Sequence, residues 1–245
     1  MISKELPNCF VHYQPKDIVS GDFYWMKTIG EKLLIAAVDC TGHGVPGGFV
    51  SMVGYSGLNR AVSEYQLTEP AEILEKLSEL VTESFDDGSN TGIKDGMDAA
   101  ICSLDQTNLK LHFSGANNPL YIIRHNNKPL KSPSGELIEV KSLEALNEIK
   151  GTRRPVGSSD YKQPFVNKEI QLEKGDIIYL FSDGYPDQFG GPRGKKLMYK
   201  PFKRILLENS RLPMHEQKEK LELKFNSWST GYAQIDDICI IGIKV

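Results

Sequence analysis

Several short runs of this chain are apolar at almost every position and are bounded at one end by an aspartate. LLIAAVD (33–39) is the clearest case, and DIIYLFSD (176–183) and ICIIGIKV (238–245) have the same style. A strand with one face in water alternates apolar with polar residues; a run without alternation is buried on both faces. Such runs restrict the chain to architectures whose sheets are covered on both sides.

The acids at the edges of these runs are the second constraint. Gly21-Asp22, Asp39 in VDCTGHG, Asp183 in FSDGYPD and Asp236-Asp237 each stand where an apolar run meets a turn. Carboxylates are rarely buried without partners, and several together repel one another unless a cation neutralises them. Oxygen-only donors suit hard ions such as Mg2+ or Mn2+. A carboxylate-held metal centre is the first functional expectation.

At 245 residues, 40% hydrophobic and 25% charged, the chain has enough apolar side chain for a sizeable core. A single domain over 1–245 is expected. The net charge of -3 provides no overall basic field, so nucleic acid is not an expected partner. Cys9, Cys40, Cys102 and Cys239 form no CxxC pair, which disfavours zinc and suits free thiols in a reducing compartment. The opening MISKELPNCF has no signal-like apolar stretch, and no run reaches the ~18 apolar residues of a membrane span. The expected location is the cytoplasm, with no membrane partner.

Further strands are expected at 99–105, 109–116, 120–124 and 165–172, the first two joined as a hairpin. VNKEIQLEKGDIIYLFSDG reads as two more strands joined by a tight turn at Lys174-Gly175. Helical spacing runs from Pro46 to about Tyr65, and a second helix opens at Thr68-Glu69-Pro70 with Ile73, Leu74, Leu77, Leu80 and Val81 as its stripe. A later helical pair covers about 196–209 and 213–228, while 86–96 and 125–160 read as loops or insertions. Hairpin-linked strands with helices set between groups of strands predict an α+β fold, with stacked, mainly antiparallel sheets flanked by helices.

TGHGVPGG matches neither the GxxxxGK[ST] phosphate loop nor GxGxxG, which argues against a nucleotide site. Its glycines let the backbone approach closely, as they would in any strand-to-helix turn. Asp87 to Asp98 places Gly92 sixth and Asp98 twelfth, as in a calcium loop. Ser89 and Thr91 replace the usual acids and a strand follows, so a loop ending in a GMD turn is the better reading. The segment 192–204 clusters six cations with Tyr199 and Phe202. It reads either as a solvated helix face or as a rim that attracts an acidic phosphoprotein.

Taken in order, GDFYW (21–25), DCTGHG (39–44), GMDAAICSLD (96–105), SGANNPLYIIR (114–124), PVG (155–157), SDGYPDQ and DDICIIGI resemble the PPM-type metal-dependent serine/threonine phosphatases. More narrowly, they resemble the bacterial SpoIIE/RsbU-like branch, which acts on phosphoserine of anti-sigma-factor antagonists and similar partner-switching proteins. The resemblance implies a four-layer αββα sandwich with two divalent cations, Mn2+ or Mg2+, at one end of the sheets. By position, Asp39 resembles the bridging carboxylate, with the Cys40 carbonyl as a further ligand. Asp183 and Asp236 resemble ligands of the other cation, Asp237 being the second choice to Asp236. Asp22 resembles the acid that holds the reacting water, and Asp187 stands where some relatives bind a weaker third metal.

Gly115-Ala116-Asn117 replaces an acidic turn of many relatives, and Lys16 has no firm counterpart of their phosphate-holding arginine. The implied chemistry is in-line attack of an activated water on phosphorus, with no protein nucleophile. His43 is either the general acid for the leaving serine oxygen or a structural residue of the turn. The implied partner is a phosphoprotein substrate, with a homodimer or an upstream sensor domain as further expectations. A non-catalytic regulatory module on the same fold is the alternative, and the presence of all the acids speaks against it.

Overall fold

A computed structural model describes residues 8–85, 96–157 and 163–245. The calcium-loop reading lies largely outside them. The elements, in chain order, are β1 (Cys9–Gln14), β2 (Phe23–Ile29), β3 (Lys32–Cys40), α1 (Gly44–Ser63), α2 (Pro70–Phe85), β4 (Met97–Asp105), β5 (Lys110–Ala116) and β6 (Leu120–Ile123). They continue with β7 (Lys141–Leu143), β8 (Leu146–Ile149), β9 (Lys168–Gln171), β10 (Ile177–Phe181), the short α3 (Gly184–Asp187), β11 (Phe189–Gly190) and β12 (Lys195–Lys196). The chain ends with α4 (Tyr199–Asn209), α5 (Met214–Trp228) and β13 (Ile238–Lys244).

Two antiparallel sheets stack face to face. One has the order β1-β13-β10-β6-β8-β7 and the other β2-β3-β4-β5-β9, with β11-β12 a separate ribbon. Period-2 alternation explains why the central strands are apolar throughout. Leu33, Ile35 and Ala37 of β3 enter the layer between the sheets with Ile178, Leu180, Cys239 and Ile241. Leu34, Ala36 and Val38 point the other way, onto Leu58 of α1 and Ile73, Leu74 and Leu77 of α2. On the far side, Tyr179, Phe181 and Ile240 meet Phe202 of α4 and Leu221 and Phe225 of α5. Three apolar layers between four structural layers make the expected αββα sandwich.

Two expectations need correction. The turn at Lys174-Gly175 exists, with Gly175 at φ 95°, but it does not close a hairpin. β9 pairs with β5 in one sheet, whereas β10 lies between β13 and β6 in the other. IIYLF is buried at every position and needs a central place; KEIQ has one fully buried residue and suits an edge. The region 125–160 also holds structure, since β7 and β8 form a hairpin that extends the first sheet beyond β6. Their short, mixed-polarity sequences carry too little periodicity to announce strands.

Candidate metal centre

Antiparallel pairing brings the acids to one end of the sandwich. Phe23 at the start of β2 faces Val38 near the end of β3, and Cys40 faces Met97 at the start of β4. In the other sheet Phe181 at the end of β10 faces Ile240 near the start of β13. Asp39 follows Leu33, Ile35 and Ala37 on the same strand face, so the stripe that fills the inter-sheet core ends in a carboxylate. Asp98 is its direct cross-strand partner, and like charges so placed destabilise a sheet.

Two backbone approaches set the loops that complete the cluster. A Cβ on Gly21 would lie 2.3 Å from the Gly42 carbonyl oxygen, and one on Gly47 2.2 Å from the same atom. The TGHG turn thus packs directly on the loop carrying Asp22. A Cβ on Gly184 would lie 2.0 Å from the Asp237 carbonyl oxygen. The Asp-Gly turn after β10 is thereby pressed onto the Asp-Asp turn before β13, which makes Asp183 and Asp236 neighbours.

The electrostatics reflect this crowding. Burial pushes the Asp22 carboxyl up to about 10, reinforced by Asp39, Asp237 and Asp236 and opposed by the Ser182 hydroxyl. Burial, then Asp183 and Asp236, hold Asp39 well above the usual carboxylate range. Asp183 is pushed up to about 6 by burial and by Asp187, Asp236 and Asp98. Asp98 is raised by burial and steadied by the Asn117 side chain, which donates to its Oδ1 at 2.7 Å. Asp22 Oδ2 is buried with no hydrogen-bond partner among the described residues. An orphaned carboxylate oxygen among mutually repelling acids fits a hard divalent cation.

The remaining expected residues have distinct surroundings. Asp237 is buried, and its Oδ1 and Oδ2 accept the backbone N–H groups of Lys16 and Gly21 at 2.7 and 2.8 Å. It clasps the loop that crosses from β1 to β2. Asp187 lies beside Asp183 but is paired with Lys196 at 2.6 Å. Burial, then Asp39, drives the Cys40 thiol upward, so its side chain is inert and only its carbonyl remains for a cation. His43 stands at the surface, with Nδ1 3.1 Å from Asp17 Oδ2 and Nε2 2.8 Å from Lys16 Nζ. These partners assign the Nδ1–H tautomer, with Nε2 accepting from the ammonium. Among the described residues no three acid, imidazole or thiolate side chains form a closed coordination set; the carboxylates are neighbours by charge.

Asp98, Asn117 and Ser182 also reach the acid cluster, although no sequence pattern assigns them a place there. In the sequence Asp98 stands out only as part of the GMD motif, and its place opposite Asp39 depends on register. Asn117, at φ 58°, shows what the neutral Gly115-Ala116-Asn117 turn does: it donates to an acid instead of adding one.

Solved structures share this fold. The PP2C domain of SiaA from Pseudomonas aeruginosa is 28% identical with a TM-score of 0.84, covering 100% of this chain and 89% of that one. The PP2C phosphatase domain of SpoIIE from Bacillus subtilis, with a regulatory fragment, is 17% identical with a TM-score of 0.70, over 97% of this chain and 61% of that one. RsbX in complex with magnesium is 18% identical with a TM-score of 0.58, over 97% and 94% of the two chains. No curated protein sequence matches the chain. The fold is that of the PP2C-type phosphatases. The family model for stage II sporulation protein E matches residues 29–245, and the chain belongs to the SpoIIE family.

Proposed function

We propose that the chain is a protein phosphatase, one domain over 1–245, that hydrolyses phosphoserine or phosphothreonine on a protein substrate with two divalent cations, Mn2+ or Mg2+. One observation carries this reading. Asp22, Asp39, Asp98, Asp183 and Asp236 come from five separate segments of a SpoIIE-family chain, and burial together with the neighbouring acids raises the proton affinity of Asp22, Asp39 and Asp183. Asp39, Asp183 and Asp236 are the proposed ligands, with Asp22 and the Cys40 carbonyl beside them. Asp187 belongs to a weaker outer position, and Asp237 holds the loop more than a cation. Bound cations would offset phosphoryl charge and make water a better nucleophile at neutral pH.

The chain's own groups do the rest. Asp22, with its free Oδ2, accepts a hydrogen bond from the reacting water and orients it. The hydrophobic layers on either side of β3 and β10 fix the two aspartate-bearing strand ends against each other. Lys16, half-buried and held by His43, offers a cation for the phosphate. His43 as general acid is the second reading, because its Nε2 lone pair already accepts from Lys16.

The proposed partner is a phosphoprotein of the anti-sigma-factor-antagonist kind, in the cytoplasm, and a homodimer or a sensor domain would supply control. Among the described residues no helix is long and apolar enough to cross a membrane. Phosphate release from a panel of phosphoserine proteins, with and without Mn2+, tests the reading. Full activity in excess chelator would refute it, and calorimetry showing no divalent binding would leave a regulatory module.

A further inference from the structure

A cavity of about 430 Å3 is lined at one end by Asp98 and the proposed ligand Asp183 and extends away from the other ligands. Its other wall is basic. Lys141 comes from β7, Lys150 follows β8, Arg153 lies in the next loop and Lys203 projects from α4. Lys203 is ion-paired with Glu148 and lies 5.0 Å from the centre of the Tyr121 ring. Lys141, Lys150 and Arg153 are exposed and make no ion pair among the described residues. The adjacent Arg154 behaves differently, binding Glu75 at 3.0 Å. The fold has paired the cations that hold it together and left three on one wall, in a chain whose net charge is -3.

Backbone geometry ties this wall to the acids. The Thr152 N–H donates to the Gly115 carbonyl and the Asn117 N–H to the Thr152 carbonyl, both at 2.8 Å. Asn117 in turn donates to Asp98. Arg153 therefore sits one residue from a strut that ends on the acid cluster. The cavity is polarised, with carboxylates at one end and free cations at the other.

We propose that this cavity docks the acidic residues flanking the phosphorylated serine or threonine of the substrate, with Lys141, Lys150 and Arg153 setting that specificity. The proposal rests on the phosphatase reading above. A polypeptide carries its charges several ångströms apart and can present carboxylates to the cations while its phosphate reaches the acid end. A nucleic acid carries closely spaced phosphates that Asp98, Glu148 and Asp183 would repel.

The test has two arms, using wild type and the exposed double variants K150E/R153E and K150Q/R153Q, each first matched to wild type by circular dichroism. In the first arm, without metal, fluorescence anisotropy follows an unphosphorylated Asp/Glu-rich peptide and its Asn/Gln counterpart. Wild type should prefer the acidic peptide, and K150E/R153E should lose about tenfold in affinity, with K150Q/R153Q between. In the second arm, with Mn2+, K150E/R153E should hydrolyse p-nitrophenyl phosphate as wild type does. Its KM for an acid-flanked phosphopeptide should rise about tenfold at unchanged kcat. Equal affinity of wild type for both peptides, unchanged binding by the variants, tighter binding of a DNA oligonucleotide, or an equal loss on p-nitrophenyl phosphate would overturn the proposal. Failure of every Mn2+-dependent hydrolysis would sink the phosphatase reading alone, since the binding arm still decides the cleft.

Discussion

Asp39 carries two opposed duties. It ends the inter-sheet stripe of β3, where an apolar residue would pack better, and it faces Asp98 across the strand pair. A bound cation, as proposed, would offset the repulsion. Asp39→Asn removes one charge and keeps the shape. It should lower Mn2+-dependent phosphate release by roughly 10^2–10^3-fold, while leaving the cation-free melting temperature unchanged or higher. A lower melting temperature would show that the carboxylate stabilises the fold instead. At Gly184 the constraint is steric, because an added Cβ would overlap the Asp237 carbonyl. Gly184→Ala should cost about 1–3 kcal/mol in urea unfolding and separate Asp183 from Asp236, weakening Mn2+ binding in calorimetry. Unaltered cation affinity would count against that account of how the two turns meet.

Among the elements, the passage from β9 to β10 shows how a turn is redirected. The side chains of Arg124, just after β6, and Asp176, before β10, are both 3% exposed, with Nε 3.0 Å from Oδ1. Asp176 Oδ2 also accepts the Glu173 N–H at 2.9 Å, and Arg124 Nη2 donates to the Gln171 carbonyl at 3.0 Å. The pair bolts the end of one sheet to the strand leaving the other. Asp176→Ala leaves the buried guanidinium with only the more distant, more exposed Glu173 at 3.8 Å as a carboxylate partner, and should destabilise by about 3 kcal/mol, read by chemical denaturation. On the opposite face, Leu77 of α2 is fully buried and a Cβ on Gly57 of α1 would meet it at 2.6 Å. Leu77→Ala should cost about 2–5 kcal/mol and, because α1 begins at the turn beside Asp39, reduce Mn2+ affinity. A stability loss without an affinity change would separate the helix layer from the site.

For the molecule as a whole, the acid cluster makes stability depend on pH with a defined sign. Asp183 rises from 3.8 to about 6 and Asp22 from 3.8 to about 10. The folded, cation-free chain therefore holds protons that the unfolded chain releases near 4. The unfolded state binds fewer, so stability falls as pH rises, through about 6 for Asp183 and onward toward 10 for Asp22. Melting temperature without cation should decline between about pH 5 and pH 8. Mn2+ at about a hundred times its dissociation constant should restore about 2.7 kcal/mol, with a given concentration acting more strongly at the higher pH, where protons compete less. A cation-free stability that rises over this range would contradict the proposed crowding.

The sequence by itself determined the doubly buried strands, the amphipathic helices and the acids that end the strands, because residue period and side-chain type are local properties. LLIAAVD announced both its burial and its terminal carboxylate. It also determined the sandwich class, through hairpin-joined strands separated by paired helices. Tertiary structure alone decided that β9 and β10 belong to different sheets, that β7 and β8 extend one of them, and that Asp98 stands opposite Asp39. It also gave Asp237 to two backbone amides and left three cations free on one wall. Each of these depends on register and on the meeting of segments far apart in the chain, and no local pattern encodes which distant residue will lie opposite.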